Sequence, residues 1–169
     1  MGKIKSTLDI VMERTKDLAM TREDREVLEK KELTDKVRGW IQQLVDRKTT
    51  VDELKAEYAG ESTEHPALRE ILHREVLTRV DPSAETLHVL LQVWEEVLGL
   101  DSAPIRRAVD AYKDSVEAAR KDHEARVLSR LAGTGISGTA VIPNVQADGQ
   151  WPAVLEGLKG GLAASLQRV

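Results

Sequence analysis

Apolar residues in the first 131 positions recur at alternating spacings of three and four, and this period constrains the fold more than any other feature of the chain. In the run Val37, Trp40, Ile41 and Leu44, all four side chains fall on one face of a helix. Leu, Ile and Val together exceed the fraction of about 20 % below which disorder is expected, so the helices have enough apolar surface to form a core. The sequence therefore predicts an all-α fold.

Capping residues and prolines mark where these helices begin. Thr50 followed by Glu53 is a capping box, in which each side chain accepts a hydrogen bond from the backbone of the other residue, and Thr21 with Asp24 is a weaker version. Proline is tolerated in a first helical turn, where its missing N–H has no helical partner. The prolines that precede an apolar helical pattern are Pro66, Pro82 and Pro104.

These signals predict a bundle of about five to six helices. Gly60 and Gly99 are expected to end two of them as C-caps. The predicted helices cover about residues 3–20, 21–47, 50–60, 66–80, 82–99 and 102–131.

The composition changes at Leu131. Only four charged residues lie beyond it, whereas seven of the 11 glycines do. The sequence therefore predicts two parts, a charged helical body over residues 1–131 and a low-charge, glycine-rich arm over residues 132–169.

The arm is expected to be irregular until it ends in a short helix. Residues 139–142 are a possible strand, and Trp151 opens a helical pattern. Glycines 157, 160 and 161 lie inside this helix and weaken it by about 1 kcal/mol each relative to Ala. The helix is therefore expected to need a surface to dock on, which the body, a second protomer or another protein could provide.

The long helix of residues 102–131 carries a narrow apolar seam between charged flanks, and such a seam suits one partner helix. We therefore predict a non-catalytic interaction or scaffold protein that forms a homo-oligomer, with a dimer favoured, or docks on a protein partner. The residues expected to make these contacts are Ile105, Val109, Tyr112, Val116, Val141, Ile142, Trp151, Leu155, Leu158 and Leu162.

No set of residues predicts catalysis. The chain has no cysteine, which excludes thiolate zinc sites, iron–sulfur clusters and a cysteine nucleophile. Residues 133–138 spell G-x-G-x-x-G, but a helix precedes them and no helix follows directly, which is the wrong order for a dinucleotide-binding loop. We therefore predict no catalytic residue and no cofactor.

Two Glu-x-x-His pairs provide an alternative hypothesis, a di-iron-like metal protein. Glu70 with His73 and Glu85 with His88 have the spacing that supplies carboxylate and imidazole ligands in di-iron bundles. Both glutamates, however, fall outside the apolar face of their helices, whereas a buried site needs inward-facing ligands.

A second alternative is an adaptor or regulator that binds an anionic ligand or nucleic acid. The local basic patch that would serve it consists of Arg106, Arg107, Arg120 and Lys121. The formal net charge of −4 argues against broad phosphate-backbone binding, so nucleic acid is not an expected partner.

The uncharged stretch of residues 131–147 is interrupted by glycines and a proline, and charged residues interrupt the N-terminal segment. Neither segment resembles a membrane span or a secretory signal. A cytoplasmic location is therefore expected.

Overall fold

The computed structural model describes residues 21–138 and 140–169, in which the regular structure is entirely helical. A π-helical turn, Val93–Val97, directly follows the α-helix Leu87–Gln92, and a short 3₁₀ turn, Val145–Ala147, precedes the α-helix Trp151–Leu166. The prediction of an all-α fold is confirmed, while the predicted helix over residues 3–20 lies outside the described residues. The α-helices are α1 Arg22–Val45, α2 Val51–Ser62, α3 Leu68–Thr78, α4 Leu87–Gln92, α5 Ala103–Gly133 and α6 Trp151–Leu166.

Both predicted capping boxes form. The Asp24 N–H donates to Thr21 Oγ1 at 3.1 Å, and the Thr21 N–H donates to Asp24 Oδ2 at 3.0 Å. The same reciprocal pair joins Thr50 and Glu53 at the start of α2. Four otherwise unpaired backbone donors are satisfied in this way.

The end of α2 and the start of α4 are among the helix boundaries that differ from the prediction. α2 continues through Gly60 to Ser62. The helix expected from Pro82 begins only at Leu87, because the Asp81 carboxylate accepts hydrogen bonds from the backbone N–H and the hydroxyl of Ser83 and holds this segment in a turn.

The core is mostly aliphatic, with the buried rings of Trp40 and Trp94, and is built from several helix pairs. α1 packs mainly on α3, α2 on the π-helical turn, and α5 on α6. Leu162 and Leu166 of α6 belong to the same buried cluster as the residues of α1, α3 and α4. The C-terminal arm therefore packs on its own chain in this structure.

The connector between α5 and α6 contains no strand in its described part. The Val141 N–H donates to the Gly138 carbonyl at 3.2 Å and closes a turn where a strand over 139–142 was predicted. Thr139 itself lies outside the described residues. The prediction of a strand is wrong for residues 140–142, since the described chain offers no extended segment with which they could pair.

Within residues 21–138 and 140–169, no helix has both the length and the apolar run needed to cross a bilayer.

Candidate functional site

The first half of α1 projects beyond the core. Every side chain from Thr21 to Glu32 is exposed, and the buried residues of this helix begin at Leu33. Two of the exposed residues are large and apolar: Val27 is 69 % exposed and Leu28 is 44 % exposed. Isolated helices shorter than about 12–15 residues are marginal in water, so this half gains from any surface that covers it.

Leu28 faces away from the body of the protein, and Val27 lies at the side of the helix, outside its buried face. In a helical projection at about 100° per residue, the midpoint between these two side chains lies about 150° from the centre of the buried face of α1. Asp24 and Lys31 lie between them in the same projection. We call these four residues, Asp24, Val27, Leu28 and Lys31, the outer stripe.

The outer stripe carries one negative and one positive charge beside its apolar pair. Hydrogen bonds from the Thr21 side chain and then from its backbone lower the pKa of Asp24, so the carboxylate is ionised at neutral pH. On another side of the helix, Glu29 faces the body, with its Oε1 3.2 Å from Nδ1 of His65. The polar contact with the body is therefore on another side of the helix, and the outer stripe is exposed within the part of the chain that the structure describes.

The predicted seam on the long helix is occupied by the chain's own arm. Ile105 and Val109 are buried, Tyr112 and Val116 are half-buried, and α6 packs on this helix. Among the predicted contact residues of the arm, Trp151 and Leu162 are buried, whereas Ile142 is 89 % exposed. The other three are half-buried: Val141, Leu155 and Leu158.

A polar cluster fastens the start of the arm to α5. Arg130 Nη2 donates to Asp148 Oδ2 at 2.6 Å, and Nε2 of the buried His123 lies 3.4 Å from the same oxygen. The backbone N–H of Gln150 and then the Arg130 guanidinium lower the pKa of Asp148. The His123 ring also packs on Trp151, with centroids 5.7 Å apart. The sequence pattern could not identify Asp148 as part of this cluster, because its partners Arg130 and His123 lie on α5, 18 or more residues away.

The Glu-x-x-His residues do not converge. Glu70 and Glu85 are exposed, and Nδ1 of His88 lies 2.6 Å from the carbonyl of Glu85 on its own chain segment. His73 packs on Trp94, with ring centroids 4.5 Å apart. In the described part of the chain, no group of three or more His, Asp or Glu side chains is placed to hold a metal ion.

The environment of His73 has a consequence for pH dependence. Burial and then the charge of Arg69 lower the pKa of His73. A histidine whose pKa is lower in the folded state binds protons more readily in the unfolded chain, so the fold loses stability as the pH falls below about 6.5. We expect the stability lost between about pH 7.5 and about pH 5.5 to be smaller in His73→Gln than in the wild type, measured by urea unfolding at each pH. The exposed His88→Gln variant is the control; an equal effect of both substitutions would contradict this assignment.

The predicted basic patch is largely paired with glutamates. Arg106 Nη2 lies 3.5 Å from Glu95, and Arg120 contacts Glu117 and Glu124 along α5. Lys121 also lies 3.6 Å from Glu117. These carboxylates reduce the positive potential that an anion would meet.

No protein-family model, curated protein or solved structure matches this chain.

Proposed function

We propose that this protein is a non-catalytic helical interaction protein that self-associates through the outer stripe of α1. The observation that carries the proposal is the exposure of Val27 and Leu28 on a half-helix that projects from the core. Apolar side chains that face away from their own core gain free energy when a partner removes them from water, by about 25 cal/mol for each Å² covered.

The charges of the outer stripe suit a second copy of the chain. Asp24 and Lys31 lie at equal distances along the helix on either side of the midpoint between Val27 and Leu28. When two α1 helices pair antiparallel about that midpoint, the aspartate of each copy faces the lysine of the other. Both opposite-charge contacts form at once, as a two-fold symmetric interface requires.

A charge reversal tests this pairing. Lys31→Glu places two carboxylates opposite each other in both symmetric contacts, and we expect the dimer dissociation constant to rise by about tenfold or more, which corresponds to about 1.4 kcal/mol. Leu28→Glu is expected to weaken the dimer further, since it buries an unpaired charge at the centre. Sedimentation velocity over a concentration series measures both effects, and circular dichroism verifies that the variants remain folded.

Lys30→Glu is the matched control, because it makes the same change of charge on the adjacent residue, about 110° away from the outer stripe. It should leave the dissociation constant within about twofold of the wild type, given the small energies of exposed charges. A dimer with micromolar affinity would form at a protein concentration of about 100 μM. The proposal is contradicted if the wild-type chain stays monomeric at that concentration.

The absence of cysteine allows a second, direct test. Leu28→Cys places one thiol near the two-fold axis, so mild oxidation should produce a covalent dimer. Lys30→Cys should remain monomeric under the same conditions. A parallel pair of helices would also cross-link at Leu28→Cys. It would, however, place the two Lys31 side chains opposite each other, so Lys31→Glu would replace one like-charge pair with another and would not weaken the dimer.

A further inference from the structure

A cleft of about 510 Å³ lies where α6 crosses the turn between α3 and α4. Its apolar walls come from three parts of the chain that are distant in sequence. Known small-molecule sites have volumes of about 300–1,000 Å³, so the cleft is large enough for a ligand of moderate size. The largest apolar side chains in its lining are those of Leu77, Val80, Tyr112, Leu162 and Leu166.

Three charged residues line the same cleft: Arg79, Asp81 and Lys159. The Asp81 carboxylate accepts hydrogen bonds from the Ser83 N–H at 2.9 Å and the Ser83 hydroxyl at 2.6 Å. These bonds are the main cause of its lowered pKa, and the charge of Lys159 contributes less. The negative group of the cleft is therefore already satisfied within its own turn.

The two cations retain free hydrogen-bonding capacity. Arg79 donates from Nη1 to Gln42 at 3.3 Å, which uses one of the five N–H groups of a guanidinium. Within the described part of the chain, no carboxylate lies within 4.0 Å of the charged nitrogens of Arg79 or Lys159. An anion placed between these side chains would therefore gain favourable contacts without displacing an ion pair.

We propose that this cleft binds an amphipathic carboxylate, with a saturated chain of about 8–12 carbons held by the leucines and its head group between Arg79 and Lys159. The ligand enters past Ala163 and Gln167, which line the cleft and are exposed. Leu162 and Leu166 fix the wall of α6, because both are anchored in the protein core.

Calorimetric titration of the full chain with decanoate, below its micelle concentration, tests the proposal. Decan-1-ol is the uncharged comparison, and we expect decanoate to bind about tenfold more tightly, since a charged hydrogen bond distinguishes the two. Lengthening the ligand from octanoate to decanoate adds two methylenes and should increase affinity by roughly fifteenfold, because each buried methylene contributes about fourfold. Equal affinity for decanoate and decan-1-ol, or no binding of decanoate, would overturn the proposal.

Two variants locate the site. Lys159→Gln should weaken decanoate binding by about tenfold, whereas Arg168→Gln, the same loss of charge two residues beyond the end of α6, should have little effect. Ala163→Trp should fill the cleft and abolish binding while leaving the thermal midpoint near that of the wild type. Equal weakening by Lys159→Gln and Arg168→Gln would mean that the overall charge, and not the cleft, attracts the ligand.

Anionic vesicles distinguish a free carboxylate from a lipid surface. If the protein floats with phosphatidylglycerol vesicles but does not bind decanoate, Arg79 and Lys159 contact a membrane surface, and the proposal is overturned. The variants of the outer stripe should bind decanoate normally, so this proposal and that of self-association can fail separately.

Discussion

Replacing Trp151 with Ala is expected to release the C-terminal arm from α5 and to lower the free energy of unfolding by about 3–5 kcal/mol. Trp151 is buried and packs on His123 where α6 begins. α6 cannot persist alone, because its three internal glycines each weaken it by about 1 kcal/mol. Peptide-resolved hydrogen exchange should show the amides of Trp151–Leu166 losing protection before those of α1 and α3.

Ile142→Ala is the matched control for this variant. Ile142 lies in the same arm and is also large and apolar, but it is 89 % exposed, so its removal should change stability by no more than about 0.5 kcal/mol. Equal loss of protection in α6 and α1 in the Trp151 variant would mean that the arm and the body unfold together.

Replacing Arg38 with Ala is expected to destabilise the protein by about 3 kcal/mol, more than replacing its partner Glu75. The Glu75 side chain is 7 % exposed and accepts a hydrogen bond from Arg38 Nε at 3.1 Å, whereas Arg38 is 55 % exposed. This hydrogen bond is the main cause of the raised pKa of Arg38. Without Arg38, the buried carboxylate loses its ion-pair partner, but without Glu75 the guanidinium remains in contact with water.

A double-mutant cycle measures this asymmetry by urea unfolding. Glu75→Met fills the same space with an apolar group and should cost less than about 1 kcal/mol, and it should rescue most of the loss caused by Arg38→Ala. Asp35→Ala removes an exposed ion pair with the same arginine, 3.8 Å away, and should change stability by less than about 1 kcal/mol. A cost of Glu75→Met as large as that of Arg38→Ala would contradict this account of the pair.

Local signals in the sequence predicted the helix starts that depend only on neighbouring residues. Thr21 and Thr50 cap their helices through partners three residues away, so the pattern contains the whole interaction. The π-helical turn could not be predicted in this way. The Arg69 side chain of α3 donates a hydrogen bond of 2.9 Å to the Leu98 carbonyl at the end of that turn. The two residues are 29 positions apart, so a local sequence pattern cannot contain both.

The candidate sites could be predicted only in part. Val27 and Leu28 are part of the apolar pattern of residues 21–47, but the pattern alone cannot tell that they lie outside the buried face that begins at Leu33. The seam of α5 was expected to receive a helix, and the pattern alone could not say that α6 of the same chain covers it. The cleft was not predicted at all, because residues 77–83, 112 and 159–167 meet only after the helices have packed.

The order in which the helices pair also bears on how the chain folds: α5 packs on α6, the next α-helix in the sequence, whereas α1 packs on α3 across α2. Most contacts of the described residues are nevertheless local in sequence, and helical proteins with a low contact order fold faster than β proteins of similar stability. Short loops close before long-range contacts are needed. The apolar faces of α5 and α6 are therefore exposed to other molecules only briefly as each chain folds, which limits their opportunity to aggregate.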